Sequence, residues 1–490
     1  MLRLGLALVA LAASAPLARA QVSVDQTDVP AAPASAREGG QIRLPDPYPA
    51  GAAGWGPALP GGRTVSRWAE DWSAGSLARV ESPLKAAPLP GGSFLTLSGE
   101  LRLRVDGDRN GRLALGDDNV QEVVRGVLGA DLRLSPSIGV YGELVTGQVV
   151  SGRPPISSNY RNEAAVQQLF VDVRAHLDGM LVGAMAGRQE FADAPRQLIG
   201  IGDGPNLHRT FNGLRLYAHG ERVRFGAVDL RATRLGTGVF DDEINWSERL
   251  QGANVATVLS SGPAGPAYLD LFWFHTDQPE GRWADKVGLD RRDHRGARLW
   301  GRRGPVRFDW TVVRQTGGFD GREVDAWGLF AIQSFELSDV AWSPRLGLRL
   351  DVASGGGSAG PGALRAYTPP YGGAGYLSEG RFLSLTNLVF LVPSVSATPT
   401  PNTEVLVEYG VARRFDRNDF AYAGGLSPYE GTEALRSPDI GRLLRAEGAW
   451  APRSWLTLFV AMERFTPGKL LRDVNLTSGF YANMGATFRY

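Results

Sequence analysis

The connections between strand-like segments of this chain alternate between short and long almost from one end to the other. The short ones include Ser135-Pro136-Ser137, Asp178-Gly179 and the single residue Gly304, whereas most of the intervening ones run for a dozen residues or more. Short turns on one side and long loops on the other are typical of an up-and-down β-barrel that crosses an outer membrane. The sequence therefore predicts an all-β transmembrane antiparallel barrel of about eighteen strands, with both chain ends in the periplasm. The segments are 94–106, 122–134, 138–150, 165–177, 180–190, 211–219, 222–234, 250–259, 267–276, 294–303, 305–315, 323–337, 343–353, 384–395, 402–413, 440–450, 454–465 and 478–490.

Side chains alternate between apolar and charged along many of these segments. In 95–106, leucine and valine alternate with Glu100, Arg102, Arg104 and Asp106. Because successive side chains of a strand point to opposite faces, one face is apolar and the other ionic. Charges of both signs on one face indicate a water-filled lumen, although a soluble all-β fold remains the alternative. In 222–234 the alternation changes phase, which predicts a bulge near Gly226.

The chain begins with Met1-Leu2-Arg3, followed by an apolar stretch and the small residues Ala18 and Ala20, which together predict a signal peptide over 1–20. Residues 21–64 are rich in Ala, Pro and Gly and are predicted to be a disordered periplasmic segment, with a plug of the channel as the alternative, and 65–490 are predicted to form the barrel. The predicted leader contains Arg3 and Arg19, so its removal lowers the number of Lys and Arg residues from 52 to 50, against 51 Asp and Glu residues. A near-neutral chain without cysteine does not favour nucleic-acid binding or thiolate chemistry.

The final segment, 478–490, is amphipathic and ends on Tyr490. Such an ending resembles the signal that bacterial outer-membrane barrels present to the barrel assembly machinery. We therefore expect outer-membrane lipid and that machinery as partners, and the bacterial outer membrane as the location.

Several local patterns occur in an order that resembles the alginate-export family of outer-membrane barrels, over about 65–490. They are Arg67-Trp68-Ala69-Glu70-Asp71-Trp72-Ser73, Ser82-Pro83-Leu84-Lys85, Leu97-Ser98-Gly99-Glu100-Leu101-Arg102, Gln168-Leu169-Phe170-Val171-Asp172, Ala186-Gly187-Arg188-Gln189-Glu190, and the run Asp203 to Leu216. The resemblance implies a channel for an anionic polysaccharide such as alginate, or for a small acidic solute, and periplasmic export proteins as possible partners.

If the lumen carries an anionic chain or acid, guanidinium groups should line it, since they bind carboxylates in bidentate fashion. Arg188 is the leading candidate because both the motif and the alternation point to it. For each residue the alternative is a salt bridge that stiffens the wall without touching solute. The predicted pathway residues are Arg188, Arg102, Arg104, Asp172, Arg174, Glu190, Arg215, Arg298, Arg307, Arg349 and Arg445.

Two long loops, 191–210 and 354–383, could fold inward and gate the pore or lie outside it. No catalytic motif accompanies the five histidines, so an enzyme is not predicted, nor any cofactor or metal. Two functional alternatives stay open. One is a general diffusion porin, and the other is an adhesin or receptor whose lumen is closed.

Overall fold

The computed structural model of the chain describes residues 67–69, 84–153, 155–191, 193–262, 264–284, 286–337, 341–358, 362–373 and 375–490. Within them, eighteen strands form one closed antiparallel sheet, and a two-residue strand, Ala87–Pro88, pairs with the first of them. We number them β1 to β18: Phe94–Arg109, Asn119–Ser135, Ile138–Ser151, Asn162–Leu177, Met180–Glu190, Thr210–His219, Val223–Arg234, Glu243–Ser260, Ala267–Trp283, Lys286–Arg303, Val306–Phe319, Arg322–Glu336, Arg345–Ala353, Leu388–Thr400, Thr403–Arg413, Asp439–Arg453, Leu456–Pro467 and Gly479–Arg489. The predicted leader (1–20) and Ala/Pro/Gly-rich segment (21–64) lie outside the described residues.

The sheet closes on itself. Each strand pairs with the next along the chain, and β1 also pairs with β18, from Glu100 opposite Arg489 to Arg109 opposite Phe480. Closure leaves no unpaired edge, which is what a sheet in lipid requires. The predicted eighteen-stranded up-and-down barrel is confirmed.

The two faces of the wall differ as the alternation predicts. In β1, Leu101, Leu103 and Val105 are exposed on the outside, whereas Arg102 and Arg104 are buried on the lumen side. The last strand behaves alike: Phe480 and Met484 point outward, and Tyr481, Asn483 and Thr487 point inward. Among the described residues, no helix combines the length and the apolar composition that a membrane span requires.

Strands β9, β10 and β11 are longer than predicted. β9 runs to Trp283 and β10 starts at Lys286, and a similarly tight turn separates Phe319 from Arg322. The sequence suggested loops over 277–293 and 316–322 because the outward positions there are charged, as in the Asp277–Arg291 pair. Strands that continue beyond the hydrocarbon keep their backbone pairing but lose the apolar outer face, so the hydrophobic signal ends before the strand does.

The predicted bulge near Gly226 is wrong. Strand β7 pairs with β6 without a register shift, from Phe211 opposite Ala232 to His219 opposite Arg224. The phase change has another cause: Asp229 lies on the outer face, where it forms an ion pair with Arg249 at 2.5 Å. The register shift on the other side of β7 lies between Arg231 and Thr233.

The interior of the barrel is filled by three loops that turn inward. They follow β5, β13 and β15 and occupy residues 191–209, 354–387 and 414–438. Their apolar side chains form one buried cluster with the inner wall, including Phe191, Leu198, Tyr367, Phe382 and Tyr429. The barrel therefore has a packed interior, and any passage must run beside these loops.

Candidate functional site

The 191–209 loop is fastened to the inner wall by arginines of β1. Arg102 donates from Nη2 to the carbonyl of Pro205 (2.5 Å) and from Nη1 to that of Asp203 (3.0 Å). Arg104 donates to the carbonyl of Gly204 at 2.7 Å. Asn206, which is fully buried, extends the attachment by donating from its amide to carbonyl oxygens of the wall and the β3–β4 loop. These bonds hold the loop in the lumen.

A buried group of charges lies where this loop meets the wall. Arg125 of β2 bonds Glu100 at 2.5 Å and Asp203 at 2.6 Å. His208 contacts Glu190 through Nδ1 (2.5 Å) and Asp203 through Nε2 (2.8 Å). Loop and wall thus share three carboxylates and two cationic side chains.

The cluster controls the protonation of its loop members. Burial alone would raise the pKa of Asp203, but Arg125 and Arg102 hold it well below its ordinary value. For His208, burial would lower the pKa, yet the nearby Glu190 and the hydrogen bond to Asp203 raise it to about 9. At neutral pH the imidazolium can donate one hydrogen bond to each carboxylate.

The 354–387 loop is held by β17 and β13 of the wall. Glu463 of β17 accepts hydrogen bonds from Ser378 Oγ (2.5 Å) and from the backbone N–H groups of Glu379 (2.8 Å) and Gly380 (3.0 Å). The hydroxyl of Tyr376 donates to Asp351 of β13 at 2.5 Å. A carboxylate that accepts several N–H and O–H donors fixes the loop firmly.

The two loops meet inside the barrel. Gly200 N–H donates to the carbonyl of Tyr371, and Tyr371 N–H donates to that of Leu198, both at 2.9 Å. The approach is so close that a Cβ on Gly200 would lie 2.8 Å from Gly373 Cα. Backbone contact between the loops divides the lumen and leaves space on one side.

That space is a cavity of about 260 Å³ between the loops and the wall made by β16, β17, β18, β1 and β2. Its charged lining consists of Arg102, Arg104, Arg125, Arg196, Arg445 and Arg489 with Asp203, Glu379 and Glu447. Six guanidinium groups thus face three carboxylates. In the part of the chain that the structure describes, no group of three or more His, Asp or Glu side chains is arranged to hold a metal ion.

Comparison with known proteins places this barrel in a family. The sequence pattern of the family described as "Alginate export" matches residues 95–483. The chain belongs to the alginate export family. No protein with a curated description matches the chain.

Several solved structures of Pseudomonas aeruginosa proteins resemble this member of the alginate export family in fold. OccK8 (OprE) has a TM-score of 0.53 at 11% identity and covers 81% of this chain and 98% of its own. OccK9 (OpdG) has a TM-score of 0.52 at 12% identity, with 81% and 98% covered. OpdK with vanillate has a TM-score of 0.51 at 12% identity, with 80% and 98% covered. Family and fold are those of outer-membrane channels rather than enzymes, and the location is the bacterial outer membrane.

Most of the predicted pathway residues lie on the lumen face, but only some line the cavity. Arg102, Arg104 and Arg445 do so. Others form hydrogen bonds or ion pairs within the wall. Asp172 contacts Tyr217 and Arg133, and Arg174 contacts the carbonyl of Pro136. Arg298 pairs with Asp309, Arg307 with Glu336, and Arg349 with Asp351 and Glu408. Glu190 bonds His208, and Arg215 is fully buried. For the residues of this second group, the structure agrees with the alternative given above, in which each side chain forms a pair that stiffens the wall.

The placement of Arg188 in the lumen is wrong. Arg188 lies directly across from Leu169, which is 54% exposed on the outer face, and its other neighbour in register is Asn212. Its guanidinium donates to Asn212 Oδ1 (3.1 Å) and the carbonyl of Val166 (2.9 Å), and it lies 3.5 Å from Asp242. The motif was recognised, but small residues on both faces of β5 hid which face carries the arginine.

Replacing Arg188 by alanine should therefore leave single-channel conductance and ion selectivity unchanged in planar bilayers. The side chain contacts the outer wall and the β7–β8 loop, not the lumen. Arg102→Ala serves as the contrast, since it removes the bonds to Asp203, Pro205 and Asn206 of the inward loop and should change the conductance. A shift of selectivity in Arg188→Ala alone would contradict the outward placement.

Four residues that line the cavity are absent from the predicted pathway residues: Arg125, Arg196, Asp203 and Arg489. Arg125 stands opposite Arg102 in the register of β1 and β2. Only a known register reveals that pairing. Arg196 and Asp203 belong to a loop without periodicity, and their position depends on the inward fold of that loop.

Proposed function

We propose that the chain is a passive outer-membrane channel for small acidic solutes, and that carboxylates pass through the cavity beside the two loops. The supporting observation is the excess of guanidinium groups over carboxylates around that cavity. Guanidinium donors match the geometry of a carboxylate, and their charge persists at every physiological pH.

The arginines are also partly engaged, which suits passage rather than capture. Arg102 and Arg104 donate hydrogen bonds to loop carbonyls, and Arg125 donates to Glu100 and Asp203. A channel must attract its solute without holding it in one deep site. Because some of their N–H groups are already bonded to the protein, these arginines attract a passing carboxylate only moderately.

The dimensions favour a small solute over a polymer. The cavity of about 260 Å³ lies near the lower end of ligand pockets, which are roughly 300–1,000 Å³. The loops that bound it are tied to the barrel wall and to one another. A polyuronate chain, which the name of the family suggests, would need both loops to move aside.

Reversal potentials and block in planar bilayers test the proposal. The wild-type channel should prefer chloride to potassium and be blocked by monomeric uronate or another small carboxylate. Arg104→Gln keeps a donor for Gly204 but removes a charge, so anion preference and block should both weaken. Arg307→Gln is the matched control, because Arg307 lies on the lumen face away from the cavity.

Other outcomes would overturn the proposal. Large, weakly selective current that carboxylates do not block indicates a general porin. Block by uronate oligomers but not by monomers indicates polymer export, and a complete lack of current indicates a closed receptor barrel.

A further inference from the structure

The short segment Arg67–Ala69 lies inside the barrel. Trp68 is only 9% exposed and packs against inward-facing side chains of β3, β4 and β5. Its ring meets Phe170 edge-on with centroids 5.7 Å apart, and Tyr141 and Met185 complete the contact. Since Tyr141 lies just above the periplasmic turn that precedes Ile138, Trp68 reaches the wall from the periplasmic side.

The segment is tied to the seam where the first and last strands close the barrel. Arg67 donates to the carbonyl oxygen of Gly99 (3.0 Å) and to Tyr490 O (2.5 Å). Lys85 donates to the carbonyl oxygen of Leu97 (2.8 Å) and to Tyr490 O (3.1 Å). Both cations thus contact the final residue of the chain.

Arg215 of β6 connects this segment to the 191–209 loop. Its guanidinium lies 5.8 Å from the centre of the Trp68 ring and 5.1 Å from that of Phe191, which begins the loop. It also donates to the carbonyl of Glu190 at 2.6 Å and lies 3.7 Å from Asp193. A desolvated guanidinium between two aromatic rings gains cation–π attraction from both.

We propose that Trp68 supports the 191–209 loop from the periplasmic side through Arg215 and thereby sets the width of the conducting passage. The inference rests on the proposed channel function. It goes beyond it by assigning control of the pore to a segment outside the strands. Without the indole, Arg215 loses one aromatic partner and the start of the loop loses its fixed neighbour. The same loop carries Asp203 and Gly204, which line the cavity.

The test compares Trp68→Ala with Trp68→Phe in single-channel recordings. Alanine should raise the open conductance at least about twofold and increase its fluctuations, because conduction follows the narrowest section. Phenylalanine keeps a ring next to Arg215 and should stay close to wild type. Trp310→Ala, which changes an exposed outer-face indole, is the control for loss of a tryptophan. Equal conductance in Trp68→Ala and wild type would overturn the proposal.

A second measurement separates this proposal from the channel function itself. The chain has no cysteine, so Leu198→Cys places a single thiol at a fully buried position of the loop that does not line the cavity. A hydrophilic maleimide should label it about tenfold faster in the Trp68→Ala background, as expected when local opening costs less. Unchanged labelling refutes the support role even if the protein conducts. Faster labelling without current in any variant refutes only the channel function. Heat-modifiable migration on gels confirms that each variant forms the barrel.

Discussion

Replacing Arg125 by methionine should destabilise the barrel and release the 191–209 loop from the wall. Arg125 is 2% exposed and neutralises both Glu100 and Asp203. Without Arg125, Glu100 keeps Arg489, and Asp203 keeps Arg102 and His208. A buried charge left wholly without a partner costs about 3–5 kcal/mol, so with these partners in place we expect a loss of at most about 3 kcal/mol. Urea unfolding in detergent micelles, followed by tryptophan fluorescence, measures that loss. In bilayers the same variant should show a larger, noisier and less anion-selective conductance.

Arg314→Met provides the comparison for this experiment. Arg314 pairs with Asp325 on the outer face, and its side chain is 57% exposed. Exposed pairs contribute less than about 1 kcal/mol, so this variant should unfold close to wild type. Equal effects of the two substitutions would show that the Arg125 cluster does not hold the loop.

Raising the pH through about 9 should loosen the same loop. The pKa of His208 is raised from its ordinary 6.5 to about 9, because Glu190 and Asp203 outweigh burial and the nearby charge of Arg125. A group whose pKa is higher in the folded state stabilises it fully below the ordinary pKa and loses this contribution as pH passes the folded value. Stability and quiet conductance should therefore persist at neutral pH and decline from about pH 7 to above 9.

The variant His208→Gln tests the origin of this pH dependence. Glutamine can donate one hydrogen bond but carries no charge, so the variant should be less stable at pH 7 and nearly insensitive between pH 7 and 9.5. His176→Gln, an exposed histidine of β4 near the periplasmic turn, should behave like wild type. A decline in His208→Gln as steep as in wild type would assign the effect to another group.

The sequence was sufficient for the barrel and for its family because both depend on local patterns. The rhythm of short and long connections, together with period-two alternation, identified the eighteen strands, and the alternation placed Arg102, Arg104 and Arg445 on the lumen face. Strand ends were less certain, since charged outward residues such as Arg291 and Asp277 hid the extensions of β9 and β10. Arg188 was misplaced because β5 has small residues on both faces.

The passage itself was decided by tertiary structure. The inward fold of the 191–209 and 354–387 loops depends on contacts between residues far apart in the chain, such as Arg102 with Pro205 and Glu463 with Ser378. Such contacts produce no periodic pattern in the sequence, because each is a single pairing made possible by barrel closure. The sequence determined that a wall of alternating faces would form. Only the folded chain determined which of its arginines face an open cavity and which are consumed in holding the loops and the wall.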